Sequence, residues 1–311
     1  MLRYFLKRVL GIIVTLLLVS VVVFVIVRLM PGDPIRMLVN EDATLDVINN
    51  VKAEFGLDKP IVVQFVNWVK NMLKGDFGVS YRTRQPITTE ITIRYGKTLT
   101  LALIAVVWST IAGLALGVWS GVNAGKWQDY VAVTGAVAGQ ALPSFWVGLL
   151  LIFLFGVKLK LLPVAGCETW QAYIMPAFTL GTGMAAAITR FTRSAVLENI
   201  KEDYVRTARA KGLSERAVIW RHVLQNSLIS VITVVGLQFG ALLGGAVMIE
   251  SVFAYPGLGT YLVTSIGVRD YPIVQALVMV LSANFVVVNL IVDLLYALAN
   301  PEVRLDGGKK K

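Results

Sequence analysis

Histidine and cysteine are almost missing from this chain: His222 and Cys167 are the sole examples among 311 residues. A lone cysteine excludes an internal disulfide, and a lone histidine excludes a His-rich metal site. Charge is also scarce, at 15% of residues, where a soluble domain carries roughly 25%. No Gly-x-x-x-x-Gly-Lys-Ser/Thr loop is present. The nearest string, Gly121-Val-Asn-Ala-Gly125-Lys126-Trp127, has the wrong spacing and the wrong last residue, so the chain has no such cradle for nucleotide phosphates. His-Glu-x-x-His and Gly-x-Ser-x-Gly are likewise missing. These absences point away from an enzyme, and no cofactor or metal is expected.

What remains is apolar. Hydrophobic residues make up 56% of the chain, with mean hydropathy +0.71. They come in runs rather than stripes, the pattern of helices that span a membrane. Lys plus Arg number 29 against 19 Asp plus Glu. The excess clusters in segments read as cytoplasmic, so it speaks of membrane orientation and not of nucleic acid.

Arg3, Lys7 and Arg8 precede the uncharged run Val9 to Val27. That run is too long for a signal-peptide core of about 7–15 residues, so residues 1–30 are expected to hold a cytoplasmic N-terminus and an uncleaved first span. Residues 31–97 form a polar loop, expected outside as a small ordered cap. Within it, Ile61, Phe65, Trp68, Val69 and Leu73 fall at helical spacing, predicting an amphipathic helix. The membrane core is expected over 98–299. Its spans are Thr98 to Gly121, Val131 to Val157 with a kink at Pro143, and a short, glycine-interrupted Tyr173 to Ile188. The last two are Ser227 to Ile249 and Ile273 to Ala299. Gly113, Gly117 and Gly121, then Gly135 and Gly139, then Gly236, Gly240 and Gly244, recur every four residues and mark helix-packing seams or a pore lining. The loop Glu250 to Tyr271 is placed outside. Asp293 lies one turn from Asn289, either as an intramembrane functional carboxylate or as an interhelical hydrogen bond. Basic residues return at Arg304 and Lys309 to Lys311, placing the tail 300–311 inside. The fold class is therefore all-α, with six spans and both ends cytoplasmic.

The longest polar interval between apolar runs in the second half is Arg190 to Asn226, with eight Lys/Arg and four acids. It holds no proline, so helix is the expected state. Gly212 should cap a short helix and Ser214 should start the next. At 100° per residue, Tyr204, Val205, Ala208 and Gly212 share one face, flanked by Arg206 and Arg209. Periodicity leaves two readings open: a positive loop that fixes topology, or a basic knob on which a soluble motor docks.

The residues resemble permease subunits of ATP-binding-cassette importers for oligopeptides, dipeptides, glutathione and nickel. Asp203-Tyr204-Val-Arg206-Thr-Ala208-Arg209-Ala-Lys211-Gly212 resembles the peptide branch of the family's Glu-Ala-Ala-x-x-x-Gly signature, without the leading Glu and first Ala. Pro31-Gly32-Asp33-Pro34, Gly56-Leu57-Asp58-Lys59-Pro60, Gly75-Asp76-Phe77-Gly78, Arg221-His222-x-Leu-x-Asn226, Pro256-Gly257-Leu258-Gly259, Asp270-Tyr271-Pro272 and Asn289-Leu-Ile-Val-Asp293 follow the family's order along nearly the whole chain. The resemblance implies a type I importer permease, the first of two in the bacterial inner membrane. Its implied partners are a paralogous permease, two cytoplasmic ATPases and an extracytoplasmic solute-binding protein. It further implies that Asp203, Tyr204, Arg206, Ala208, Arg209 and Gly212 couple to an ATPase. Pro256, Gly257, Gly259, Asn289 and Asp293 are structural or gating candidates. A nickel or metal-chelate importer is the alternative substrate reading. A self-energised carrier or channel, or a scaffold or sensor, stands outside the resemblance.

Overall fold

The computed structural model describes residues 2–29 and 44–299. The Pro31-Gly32-Asp33-Pro34 motif and the tail with Arg304 and Lys309 to Lys311 lie outside the described residues. Every regular element among those described is helical, and the only β pairing is one isolated bridge between Val79 and Pro86. In order the helices are α1 (Leu2–Leu29), α2 (Leu45–Glu54), α3 (Ile61–Leu73), α4 (Ile87–Val122), α5 (Trp127–Ala141) and α6 (Ser144–Leu151). They continue as α7 (Ile174–Asn199), α8 (Asp203–Ala210), α9 (Glu215–Ala217), α10 (Leu224–Val252), α11 (Leu258–Gly267) and α12 (Tyr271–Ala299). By length and apolarity, Arg8–Leu29, Ile87–Val122, Trp170–Asn199 and Tyr271–Val292 can each cross a membrane. Two broken pairs, Trp127–Ala141 with Ser144–Lys158 and Glu215–Leu228 with Val231–Leu242, raise the total to six when each counts as one span.

The expected kink at Pro143 is a full break, with the two halves at 100°. Leu142, before the proline, is extended (φ −78°, ψ 131°), as the clash between proline and the preceding residue requires. The fourth span runs eleven residues past its expected end at Ile188, to Asn199, and its glycines do not interrupt it. Gly181 instead makes room for Trp108. A Cβ there would lie 2.6 Å from the indole nitrogen, which donates to the Ala177 carbonyl at 2.7 Å.

The described residues divide into two compact units, 2–4 with 99–255 and 285–299, and 5–29 and 44–98 with 256–284. The first is built on α7, whose stretch Met184-Ala185-Ala186-Ala187-Ile188 is wholly buried. Leu101, Ala105, Val231, Leu242, Ile249 and Phe253 complete its core. The glycine triplet of α4 packs directly against α7: Cβ atoms at Gly113, Gly117 and Gly121 would stand 2.7, 2.5 and 2.7 Å from Ile188, Thr192 and Val196. Those three glycines form a packing seam. Gly236 and Gly240 face Val292 and Asn289 in the same manner, whereas Gly244 meets nothing within 4 Å.

In the second unit Val23 and Val27 of α1 pack on Tyr271 and Val274 of α12. The predicted amphipathic helix is α3, and its Phe65 and Trp68 lie 5.1 and 5.8 Å from the Phe24 ring. The buried Asp270 carboxylate accepts from Ser80 Oγ, from the Tyr81 amide at 3.1 Å and from the Arg82 amide at 3.3 Å. Arg84 pairs with Glu54 at 2.7 Å and sits over the Phe55 ring. Burial pushes the Tyr81 phenol up to about 12. Residues 44–86 are thus an ordered segment, as expected of this loop. Its expected end at 97 lies well inside α4, which begins at Ile87. There Arg94 pairs with Glu90 one turn earlier, an i,i+4 ion pair that supports the helix, and Thr92 Oγ1 donates back to the Thr88 carbonyl.

Candidate functional site

Asn199 ends α7, and after three intervening residues Asp203 begins α8. The Glu202 cap is extended (φ −67°, ψ 150°), an acid occupies the first turn, and Arg209 occupies the last. Both charges are matched to the helix dipole. Gly212 stops the helix at φ +78°, the left-handed conformation that glycine takes without a Cβ clash. Its amide donates to the Arg209 carbonyl at 2.9 Å. Ser214 then caps the next helix, its hydroxyl accepting from the Ala217 amide at 3.4 Å. Both caps stand where the sequence placed them. Arg209 grips Glu215 through Nε and Nη2 at 2.7 and 3.2 Å, across the turn, which raises its pKa further.

The face holding Val205 and Ala208 is turned inward. Both are buried against Val196, Val218 and Val223, with Val118, Val122 and Ile200 alongside. The reading that Tyr204, Val205, Ala208 and Gly212 form a common outward knob is therefore corrected: the small apolar side chains seat the helix. Tyr204 stays at the edge, and its hydroxyl donates to Asn199 Oδ1 at 2.7 Å. Asn199 in turn donates to the Ala195 carbonyl at 2.8 Å and to Ser227 Oγ at 3.2 Å. Outward stand Asp203, Arg206, Thr207, Ala210, Lys211 and Gly212. Arg206 pairs loosely with Asp203 at 3.3 Å, both highly exposed, an arrangement worth little to stability. The result is a short, firmly seated helix with a polar, net basic outer surface.

Sequence reasoning missed Asp129. It is 4% exposed and joined to Arg193 of α7 by two bonds, 2.6 Å to Nε and 2.8 Å to Nη2. An acid at the start of an apolar helix, facing an arginine otherwise counted as a topology charge, was the available signal. Of the gating candidates, Gly257 is the N-cap of α11 and the next amide, Leu258, donates to Thr98 Oγ1 at 2.9 Å. Pro256 precedes that cap, and Gly259 is buried in the first turn of α11. Asn289 faces α10 at Gly240, with Oδ1 3.1 Å from the position of a Cβ. The side chain of Asp293 lies outside the described residues.

Residues 113–305 match the family described as the binding-protein-dependent transport system inner membrane component, and residues 1–102 match its N-terminal companion. The chain belongs to this permease family. It is 47% identical over 304 residues to the glutathione transport system permease protein GsiC of Salmonella choleraesuis (strain SC-B67), covering 98% of this chain and 99% of that one. Its identity to GsiC of Escherichia coli (strain K12) is 46% over the same coverage. Two solved structures share the fold. One is a chain of the MetNI methionine ABC transporter, with TM-score 0.51 and 18% identity, matching 69% of this chain and 95% of that one. The other belongs to an amino acid ABC transporter, with TM-score 0.55 and 15% identity, matching 68% and 94%. The permease is thus a multi-pass membrane subunit of an ABC importer, working with ATPase and binding-protein partners.

Proposed function

We propose that the chain is the permease subunit through which an ATP-driven importer moves small peptides, glutathione among them, delivered by an external binding protein. The observation that carries the substrate class is near-half identity to glutathione permeases along almost the whole chain. In this reading a paralogous permease completes the path and two cytoplasmic ATPases drive it. One ATPase seats on the outer surface of α8, with Asp203, Arg206 and Gly212 at the contact, Arg209 holding the turn, and Tyr204 and Ala208 fixing the helix beneath. ATP binding then shifts the permease between two states by differential docking, since a ligand moves such an equilibrium only through unequal affinity for its states. Pro256, Gly257, Gly259, Asn289 and Asp293 serve the gating movement.

The test is uptake. A strain lacking the chain regains uptake of labelled glutathione when the chain is restored, and unlabelled di- and tripeptides compete. Rescue of nickel uptake alone, without peptide competition, overturns the peptide reading in favour of a metal importer.

Orientation has its own test. The reading places both termini and α8 inside, with residues 44–86 and the 159–169 segment outside. In a Cys167→Ser background, Glu168→Cys reacts with an impermeant maleimide in spheroplasts, and Arg216→Cys reacts only after permeabilisation. Both positions are exposed. Equal labelling of the two in sealed spheroplasts overturns this topology.

A further inference from the structure

Four hydrogen bonds converge on the Asp129 carboxylate and leave neither oxygen spare. Oδ1 accepts from Ser120 Oγ of α4 and from Arg193 Nε of α7, while Oδ2 accepts from the Gly125 amide at 3.0 Å and from Arg193 Nη2. The end of α4, the turn after it, the start of α5 and the shaft of α7 therefore meet at one group. One turn earlier on α7, Arg190 Nη1 donates to Gln140 Oε1 of α5 at 2.8 Å, a second tie between the same helices. The glycine seam lets the α4 backbone reach Thr192 and Val196, flanking Arg193. Arg193 lies ten residues before Asp203, and the α4 residues Val118 and Val122 pack in the same cluster as Val205 and Ala208 of α8.

With Asp129 buried and Arg193 partly exposed, the pair is a poor device for stability alone, because taking a charge out of water offsets much of its attraction to the other. A two-pronged guanidinium–carboxylate contact does fix direction as well as distance. We propose that Asp129 and Arg193 are positioning residues for coupling. They weld the α4–α5 hairpin to α7, so that a displacement of α8 moves the three helices as one body instead of bending α7 alone. This rests on the reading that an ATPase docks on α8. A push there then reaches the helices of the path undiminished.

The test uses the full importer in liposomes, with solute moved per ATP as the main readout. Asp129→Asn, which keeps the volume and removes the charge, retains its ATPase subunits and basal hydrolysis while solute per ATP falls about tenfold, within the usual range of coupling between sites. Arg193→Lys, keeping the charge but not the fork, gives an intermediate ratio, and it supplies the answer should Asp129→Asn fail to accumulate. Spin labels at Tyr130→Cys and Lys201→Cys, both exposed, in a Cys167→Ser background, hold a fixed separation with and without ATP in the parent. In Asp129→Asn the separation broadens. An unchanged ratio in an assembled Asp129→Asn complex overturns the proposal, and so does an ATP-dependent label distance in the parent. Arg206→Glu with Lys211→Glu tests the docking reading separately. If that pair leaves the ATPases bound, docking on α8 is wrong whatever Asp129→Asn does. If it strips them while the Asp129→Asn ratio is normal, only the weld is wrong.

Discussion

Gly212→Asp abolishes solute uptake by the assembled importer while the chain still accumulates in the membrane. A Cβ at Gly212 meets nothing within 4 Å, so no neighbour inside the permease resists the substitution. The φ of +78° costs any other residue about 1 kcal/mol, too little to unfold a chain of this size. The loss comes from outside. A carboxylate placed at the exposed end of α8, beside Lys211, cancels the net positive charge that a partner groove meets and sets an anion against the acids such a groove would offer, and like-charge juxtaposition at an interface costs several kcal/mol. Gly212→Ala separates the two effects, since it carries the strain without the charge. Measured as binding-protein-stimulated ATP hydrolysis in liposomes, Gly212→Ala stays within about threefold of the parent, while Gly212→Asp loses the stimulated component and sheds ATPase subunits on size exclusion. Uptake by Gly212→Asp at the parental rate makes the segment a topology loop after all.

Gly117→Leu has the opposite phenotype: the chain itself fails. A Cβ at that position would stand 2.5 Å from Thr192 Cβ and 2.7 Å from the Thr189 carbonyl oxygen. The second of these is backbone and cannot rotate away. Overpacking a tight core costs typically about 1–3 kcal/mol, and a leucine against a helix backbone belongs at the upper end or beyond. Separation of α4 from α7 also pulls Ser120 from Asp129, so the weld opens with the seam. The expected result is a several-fold drop of chain in the membrane fraction and loss of co-purifying partners. Gly244→Leu is the control, because a Cβ there meets nothing within 4 Å. Equal accumulation of Gly117→Leu and the parent contradicts the seam.

Much of this was legible in the residues. Runs of apolar side chains announced the spans, and the glycines of α4 at four-residue spacing announced one place where helices touch, although Gly135 and Gly244 of the same spacing meet nothing within 4 Å. Gly212 and Ser214 announced both ends of the turn beside α8. Each is a local rule, carried by one residue type at one position. The errors arose where local rules compete. Charge beginning at Arg190 suggests an end at Ile188, yet a helix obeys its hydrogen bonds, and α7 continues to Asn199 with Thr189, Thr192, Ala195 and Val196 buried against its neighbours. Helix α2 buries no residue, so no strong apolar stripe marked it. Helix α11 begins inside a Pro-Gly-Leu-Gly string, which reads as a turn and here supplies the cap and the first two helical residues. The inward face of α8 was misassigned because a wheel tells which residues share a side and not which side meets the protein. Asp129 needed a partner 64 residues away, and no periodicity encodes that.

The Asp270 carboxylate has a consequence in time. Its three donors, from Ser80 to Arg82, are synthesised 188–190 residues earlier. At ribosomal speeds of about 5–20 residues per second, roughly 10–40 s pass between the two. Throughout that interval the Ser80 hydroxyl and the Tyr81 amide lack the carboxylate they donate to in the fold, while the Arg82 amide keeps Ser80 Oγ at 3.2 Å, and the segment is held by its nearer contacts alone. The fold around residues 80–82 therefore closes late, only after Asp270 has been made. A chain released early, short of Asp270, presents an unlatched cap to the machinery that inspects membrane proteins.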